Sequence, residues 1–158
     1  MKEVELLPMT HDQFQGYLER AVLRYAKENI KAGYRTYEDA ERRSREDHRR
    51  LLPQGIDTPL NFLMVIRDKA NAVEVGALWL KIEDQDRPVG FVYDIFLEEE
   101  HRGKGLGKAT MAALGAFAKE KGLRALYLHV FSHNTVAIRL YEGAGFKVKS
   151  MNMEKLMD

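Results

Sequence analysis

The sequence predicts one α/β domain, built as a mixed β-sheet with helices on both of its faces. Apolar runs of strand length and stretches of helical periodicity follow one another in the order β-α-α-β-β-β-α-β-α-β. Short polar connections at 68–71 and 83–88 indicate antiparallel neighbours. The strand–helix–strand unit at 89–130 instead requires parallel strands joined by a right-handed crossover. A length of 158 residues fits a single domain over 1–158.

The boundaries follow from turn and cap signals. A capping-box pattern, Thr10 with Gln13, precedes the first helical stretch, and Gly33 is its expected stop. A second helix is expected to begin near Thr36 and to end near Leu52. Two more helices are predicted at 106–121 and 134–144. The predicted strands are 4–7, 62–67, 73–82, 89–97, 125–131 and 146–153.

Composition excludes several kinds of site. The chain has no cysteine, so disulfides, thiolate metal sites and a cysteine nucleophile are excluded. A formal net charge of +1 provides no field that favours nucleic acid or a membrane surface as a partner. The histidines show no metal-ligand spacing with nearby acids, so no metal is expected. The N-terminal residues lack the apolar core of a signal peptide, which predicts a cytoplasmic protein.

A glycine-rich turn separates the strand at 89–97 from the following helix. Gly103, Gly105 and Gly107 occupy alternate positions, with the cations Arg102, Lys104 and Lys108 around them. Glycine lets a backbone approach a ligand closely, and a helix N-terminus presents unpaired N–H groups and partial positive charge. The turn therefore predicts a site for a phosphate-rich anion.

Two common phosphate-binding motifs do not fit this turn. A Walker A loop needs Ser or Thr after its Gly-Lys pair, whereas Ala109 follows Lys108 here. A dinucleotide fingerprint begun at Gly103 would place Lys108 where its last glycine belongs. The acidic ribose ligand expected about 20 residues further on is also missing, since 123–130 contains no Asp or Glu. A nucleotide-binding protein is therefore the least favoured interpretation.

The turn matches Arg-x-x-Gly-x-Gly at Arg102, Gly105 and Gly107, and the segment 134–146 contains Asn-x-x-Ala-x-x-Leu-Tyr followed by Gly-Phe. In these features the sequence resembles the Gcn5-related N-acetyltransferases (GNAT), whose acyl-CoA acyltransferase fold has the same order of elements. The resemblance implies that the turn binds the pyrophosphate of acetyl-CoA and that the preceding strand pairs with its pantetheine arm. The cofactor-binding residues it implies are Ile95, Phe96, Leu97, Arg102, Gly103, Lys104, Gly105, Leu106, Gly107, Lys108 and Asn134.

The resemblance also implies the reaction. An acetyl group would pass from acetyl-CoA to a primary amine of a small-molecule or peptide acceptor by direct attack. Tyr141 would protonate the leaving thiolate, and the backbone N–H of Leu97 would stabilise the oxyanion. A homodimer stays open, because dimers are common in the family. The alternative interpretation is a non-catalytic acyl-CoA sensor, which could dispense with Tyr141.

The base that deprotonates the amine is less clearly marked. We expect His129, in the middle of the strand at 125–131, because an imidazole titrates near neutral pH. Strand alternation predicts that Asp94 points away from the face that carries Tyr93. Glu98, Asp94 and water stay open as alternatives to His129.

Overall fold

The computed structural model describes residues 1–157, which form one five-stranded sheet and four α-helices. The strands are β1 (Val4–Pro8), β2 (Asn61–Asp68), β3 (Val73–Glu83), β4 (Val89–Leu97) and β5 (Leu126–Leu128). The helices are α1 (His11–Lys31), α2 (Tyr37–Leu51), α3 (Leu106–Glu120) and α4 (Thr135–Gly143). None of the helices in this part of the chain combines the length and the apolar character needed to cross a membrane.

The sheet is mixed, as the sequence predicts. Its strands lie in the order β1-β2-β3-β4-β5, with antiparallel pairing from β1 to β4 and a parallel pair of β4 with β5. Short loops can join the antiparallel neighbours, whereas α3 makes the crossover between the two parallel strands. The fold class predicted from the sequence is therefore confirmed.

Side chains that alternate along the strands contribute to two hydrophobic cores, one on each face of the sheet. On β2, Leu63 and Val65 join a cluster under α1 and α2, whereas Met64 and Ile66 join a cluster under α3. Because successive strand residues point to opposite faces, one strand can supply both layers. The helix α1 begins at the predicted capping box, where Thr10 Oγ1 accepts from the N–H of Gln13 at 3.1 Å. The result is a sheet held between two helical layers.

The strand β4 contains a bulge next to its centre. Trp79 of β3 pairs with Asp94, but the next residue, Leu80, pairs with Val92, so Tyr93 is an extra residue. Close approach of the two strands also requires Gly76, because a Cβ there would lie 1.9 Å from the carbonyl oxygen of Phe96. The bulge changes which side chains of β4 share a face.

Two sequence expectations near the C-terminus are wrong. The strand expected at 125–131 is limited to Leu126–Leu128, because its ladder with β4 ends where Val92 pairs with Leu128. The strand expected at 146–153 does not form, and Val148 and Met151 remain 67% and 70% exposed. Its apolar residues do not alternate consistently, since Phe146 and Val148 have one parity and Met151 the other. Without a buried face or a ladder partner, an extended segment gains little from becoming a strand.

Candidate active site

A cleft opens where β4 and β5 part. The parallel ladder between them ends at Val92 and Leu128, but β4 continues to Leu97. A cavity of about 480 Å³ lies there, between this part of the sheet and the helices α1, α2 and α4. Its lining brings together Ile95, His129, Asn134 and Tyr141, which are four of the residues predicted from the sequence. Phe96 and the glycine-rich turn do not line it.

The glycine-rich turn has the backbone that the sequence predicts. Gly103 and Gly105 have φ values of 73° and 84°, in the left-handed region that favours glycine, and α3 begins immediately afterwards at Leu106. Gly107 has a different role, because a Cβ there would lie 3.2 Å from Leu140 Cδ2. The first two glycines shape the turn, and the third lets α3 pack closely against α4.

The cations of the turn are exposed. Within residues 1–157, no carboxylate forms an ion pair with Arg102, Lys104 or Lys108. The side chain of Arg102 folds back, and its Nε donates to the carbonyl oxygen of Leu97 at 2.8 Å. Positive charge at the N-terminus of a helix suits a phosphate-rich anion.

The helix α4 carries Asn134 and Tyr141. Asn134 caps it, because its side-chain oxygen accepts from the N–H of Ala137 at 3.4 Å. Tyr141 is mostly buried and packs against Phe146. Burial, followed by the negative charge of Asp94, raises the pKa of Tyr141 to about 12. Its phenol therefore keeps its proton at neutral pH and is able to donate it.

Asp94 faces the cavity together with Tyr93, so the expectation that the two point to opposite faces is wrong. The bulge at Tyr93 shifts the alternation of β4 by one residue. Asp94 Oδ2 accepts from the hydroxyl of Tyr17 at 2.7 Å and from Arg24 Nη1 at 3.1 Å. Burial, together with the charge of Asp94, raises the pKa of Tyr17 well above its ordinary value. Asp94 thus ties β4 to α1.

The two other side chains expected as possible bases, Glu98 and His129, differ in their surroundings. Both oxygens of Glu98 bind the guanidinium of Arg20, at 2.6 and 2.8 Å. The hydrogen bonds from Arg20 lower the pKa of Glu98, which makes it a weak proton acceptor. His129 lies just beyond β5 and not in the middle of a strand; it is exposed, with its ring edge-on to Phe131.

His48, which the sequence does not single out, lines the cavity on the side of α1 and α2. His48 is 8% exposed, and its Nδ1 lies 2.8 Å from the carbonyl oxygen of Ser44, one turn earlier in α2. Burial lowers the pKa of His48. The spacing of four residues between Ser44 and His48 is visible in the sequence. No catalytic motif within 10–60 marks His48 as a functional residue, however. No group of three or more His, Asp or Glu side chains within residues 1–157 could hold a metal ion.

The chain is similar to several known proteins. The acetyltransferase (GNAT) family matches residues 18–146. YycN of Bacillus subtilis (strain 168), an uncharacterized N-acetyltransferase, is 39% identical over 153 residues, covering 96% of this chain and 97% of YycN. YdgE of the same organism, also an uncharacterized N-acetyltransferase, is 31% identical over 148 residues, covering 93% and 94% of the two chains.

The crystal structure of YycN has a TM-score of 0.94 against this chain, with 38% identity over 98% of each. The mycothiol acetyltransferase of Propionibacterium freudenreichii is 37% identical over 109 residues, which are 68% of this chain and 34% of that enzyme. The family match covers most of the chain, and two relatives exceed 30% identity over nearly all of it. The chain therefore belongs to the GNAT family of acetyltransferases.

Proposed function

We propose that the chain transfers the acetyl group of acetyl-CoA to a primary amine of a small-molecule or peptide acceptor. The single observation that carries this proposal is the position of Tyr141, a protonated phenol in the cavity that opens where β4 and β5 part. A group that can donate a proton at neutral pH, beside the cleft of an acetyltransferase fold, suits the release of a thiolate.

The residues around the cleft fit coenzyme A. The N–H groups from Gly103 to Lys108 and the cations of the turn would hold its pyrophosphate. The 95–97 segment of β4, which runs on beyond the last pair with β5, would pair with its pantetheine arm. The side-chain oxygen of Asn134 caps α4, and its amide N–H groups would be available to the arm. Acetyl-CoA supplies the activated acetyl group, and this chain binds and orients the reactants and moves the protons.

The cavity would receive the acceptor on the side of α1 and α2. Its walls there include Tyr25 and Tyr93, the ion pair of Arg24 with Asp94, and His48. A volume of about 480 Å³ is within the usual range for small-molecule sites, about 300–1,000 Å³. Acetyl transfer is also the activity for which the partly matching mycothiol acetyltransferase is named.

Two measurements test the proposal. Release of free thiol from acetyl-CoA is followed continuously against a panel of amines, and the protein itself contributes no thiol because it has no cysteine. Thermal unfolding is measured with coenzyme A, ATP and NAD; a ligand at 100 times its dissociation constant adds about 2.7 kcal/mol of stability. Stabilisation by ATP or NAD but not by coenzyme A would contradict the assignment of the turn.

A non-catalytic acyl-CoA sensor is the second candidate, because the turn alone requires only binding. It predicts stabilisation by coenzyme A without amine-dependent thiol release. The buried and protonated Tyr141 favours the enzyme, since a sensor needs no proton donor in the cleft.

A further inference from the structure

Acetyl transfer to an amine requires a proton acceptor. An alkyl ammonium has a pKa of about 10 and cannot attack a carbonyl until it loses a proton. An enzyme that works near neutral pH therefore benefits from a base beside the amine. The identity of that base rests on the proposed function, and His48 and His129 are the two histidines in the cavity that could serve.

His48 is held in the wall of the cavity by packing against two aromatic rings. Its ring centroid lies 5.8 Å from that of Trp79 on β3 and 5.9 Å, edge-on, from that of Tyr25 on α1. One turn earlier in α2, the hydroxyl of the buried Ser44 donates to the carbonyl oxygen of Val22 at 2.7 Å. This bond fixes α2 against α1, so the imidazole has a defined position in the wall of the cavity.

The hydrogen bond to Ser44 decides which nitrogen carries the proton. A carbonyl oxygen only accepts, so the neutral ring of His48 donates through Nδ1 and keeps its lone pair on Nε2. Within residues 1–157, Nε2 has no hydrogen-bond partner, and it is not among the buried side-chain atoms that are closed off without one. A basic nitrogen is therefore presented in an orientation that the backbone enforces.

The charges around His48 allow it to accept a proton and to give it up again. Asp94 on β4 and Asp47 on α2 favour the imidazolium, whereas Arg24 on α1 opposes it. Burial outweighs these effects and lowers the pKa of His48, so the ring is neutral near pH 7. The negative charge of Asp94 favours the protonated form of both His48 and Tyr141.

We propose that Nε2 of His48 is the general base that deprotonates the acceptor ammonium, in place of His129. The two histidines line the same cavity, but only His48 has its tautomer fixed by a protein carbonyl. His129 lies at the exposed rim, beyond the end of β5, and its ring contacts only the edge of Phe131 among the aromatic side chains described. Burial and the hydrogen bond to Ser44 hold the imidazole of His48 in one orientation in the wall of the cavity.

The proton transfers balance. The ammonium gives one proton to Nε2 of His48, and the neutral amine forms a bond to the acetyl carbon. The bond between that carbon and sulfur breaks, and the thiolate takes the phenolic proton of Tyr141. The new amide nitrogen returns its surplus proton to the phenolate, and the imidazolium of His48 releases its proton to solvent. One proton is released for each acetyl group transferred.

The test is the pH dependence of kcat/KM for the best amine of the panel, in His48→Gln, His129→Gln and the wild-type protein. For His48→Gln we expect a loss of about 10²–10⁴-fold near neutral pH, the usual contribution of a general base. We expect the loss to shrink as pH approaches the amine pKa of about 10, where the acceptor deprotonates by itself. Free imidazole should restore part of the activity of His48→Ala. His11→Gln, at an exposed histidine outside the cavity, is the matched control and should behave as wild type.

A second measurement uses the wild-type protein, so it is informative even if a His48 variant does not fold. The five histidines of the wild-type protein are titrated by NMR, and His48 should titrate below pH 6.5, in step with the acidic limb of kcat/KM. An acidic limb that persists in His48→Gln but disappears in His129→Gln would overturn the inference and restore His129. A His48 resonance that titrates apart from the limb would also overturn it. Absence of turnover with every amine in the wild-type protein would instead contradict the proposed function.

Discussion

The two sides of β4 differ in how the chain builds them. The side proposed to bind the cofactor consists of a glycine turn, a helix N-terminus and α4, and each of these comes from residues that are close together in the sequence. The side proposed to receive the acceptor is assembled from α1, α2 and β4 by contacts such as the one from Tyr17 to Asp94, which are 77 residues apart. A site built from neighbouring residues can be recognised in the sequence as a motif. A surface assembled from distant residues has no such motif, because its residues do not follow one another in the chain.

This difference predicts a separation of effects. Substitutions on the cofactor side should change binding of coenzyme A in any assay. Substitutions on the acceptor side should change stability or turnover and leave that binding intact. Tyr141 stands between the two, since it belongs to α4 but faces the cavity.

The largest effect is expected for Tyr141→Phe. Removal of a general acid should lower kcat by about 10²–10⁴-fold. Affinity for coenzyme A, measured by calorimetry, should hardly change, because the phenyl ring keeps its packing against Phe146. Tyr127→Phe is the matched control, because its hydroxyl contacts Lys149 outside the cavity. Equal turnover of Tyr141→Phe and wild type would remove Tyr141 from the mechanism.

The next effect concerns Asp94→Asn. It weakens two interactions with α1 and leaves Arg24 without its carboxylate, in a place where both side chains are less than one third exposed. Charged hydrogen bonds of this kind contribute about 1.5–3 kcal/mol. We expect a loss of that size in urea unfolding. Glu98→Gln should cost at most about 1 kcal/mol, because its partner Arg20 is 57% exposed. Equal losses in the two variants would show that Asp94 does not anchor β4 to α1.

A smaller effect is expected for Gly105→Ala. At φ 84°, a Cβ introduces strain of about 1–2 kcal/mol, and the turn would shift away from its binding geometry. Affinity for coenzyme A should fall by about 10-fold, which corresponds to about 1.4 kcal/mol. Gly122→Ala is matched in backbone, with φ 71° at the other end of α3. It should lower the melting temperature similarly but bind coenzyme A like wild type; weaker binding in both variants would contradict a specific role for the turn.

The smallest effect is expected for Lys104→Gln and Lys108→Gln. Both side chains are exposed, so each should weaken coenzyme A binding only a few-fold, by about 1 kcal/mol or less, and the loss should vanish at high salt. Titrations at low and high ionic strength measure this. Lys119→Gln, in the last turn of the same helix, should show no change. A loss that is independent of salt would argue against a charge effect.

The sequence predicts the layers of the fold and the cofactor turn because both depend on local pattern. It fails at Asp94, where one extra residue in β4 reverses the expected alternation, and bulges leave no periodic signal of their own. It fails at His48 because the burial of this side chain depends on the packing of α2 against α1 and β3. It also overextends the C-terminal strands, because apolar content alone does not reveal whether a strand has a pairing partner.

The proposed enzyme releases coenzyme A from acetyl-CoA only when an amine receives the acetyl group. The most direct measurement quantifies free thiol and acetylated amine in the same reaction, by absorbance and mass spectrometry. We predict equal amounts of the two products, and no thiol release above background when the amine is omitted. Thiol release without acetylated amine, or binding of acetyl-CoA without either product across the amine panel, would contradict the account.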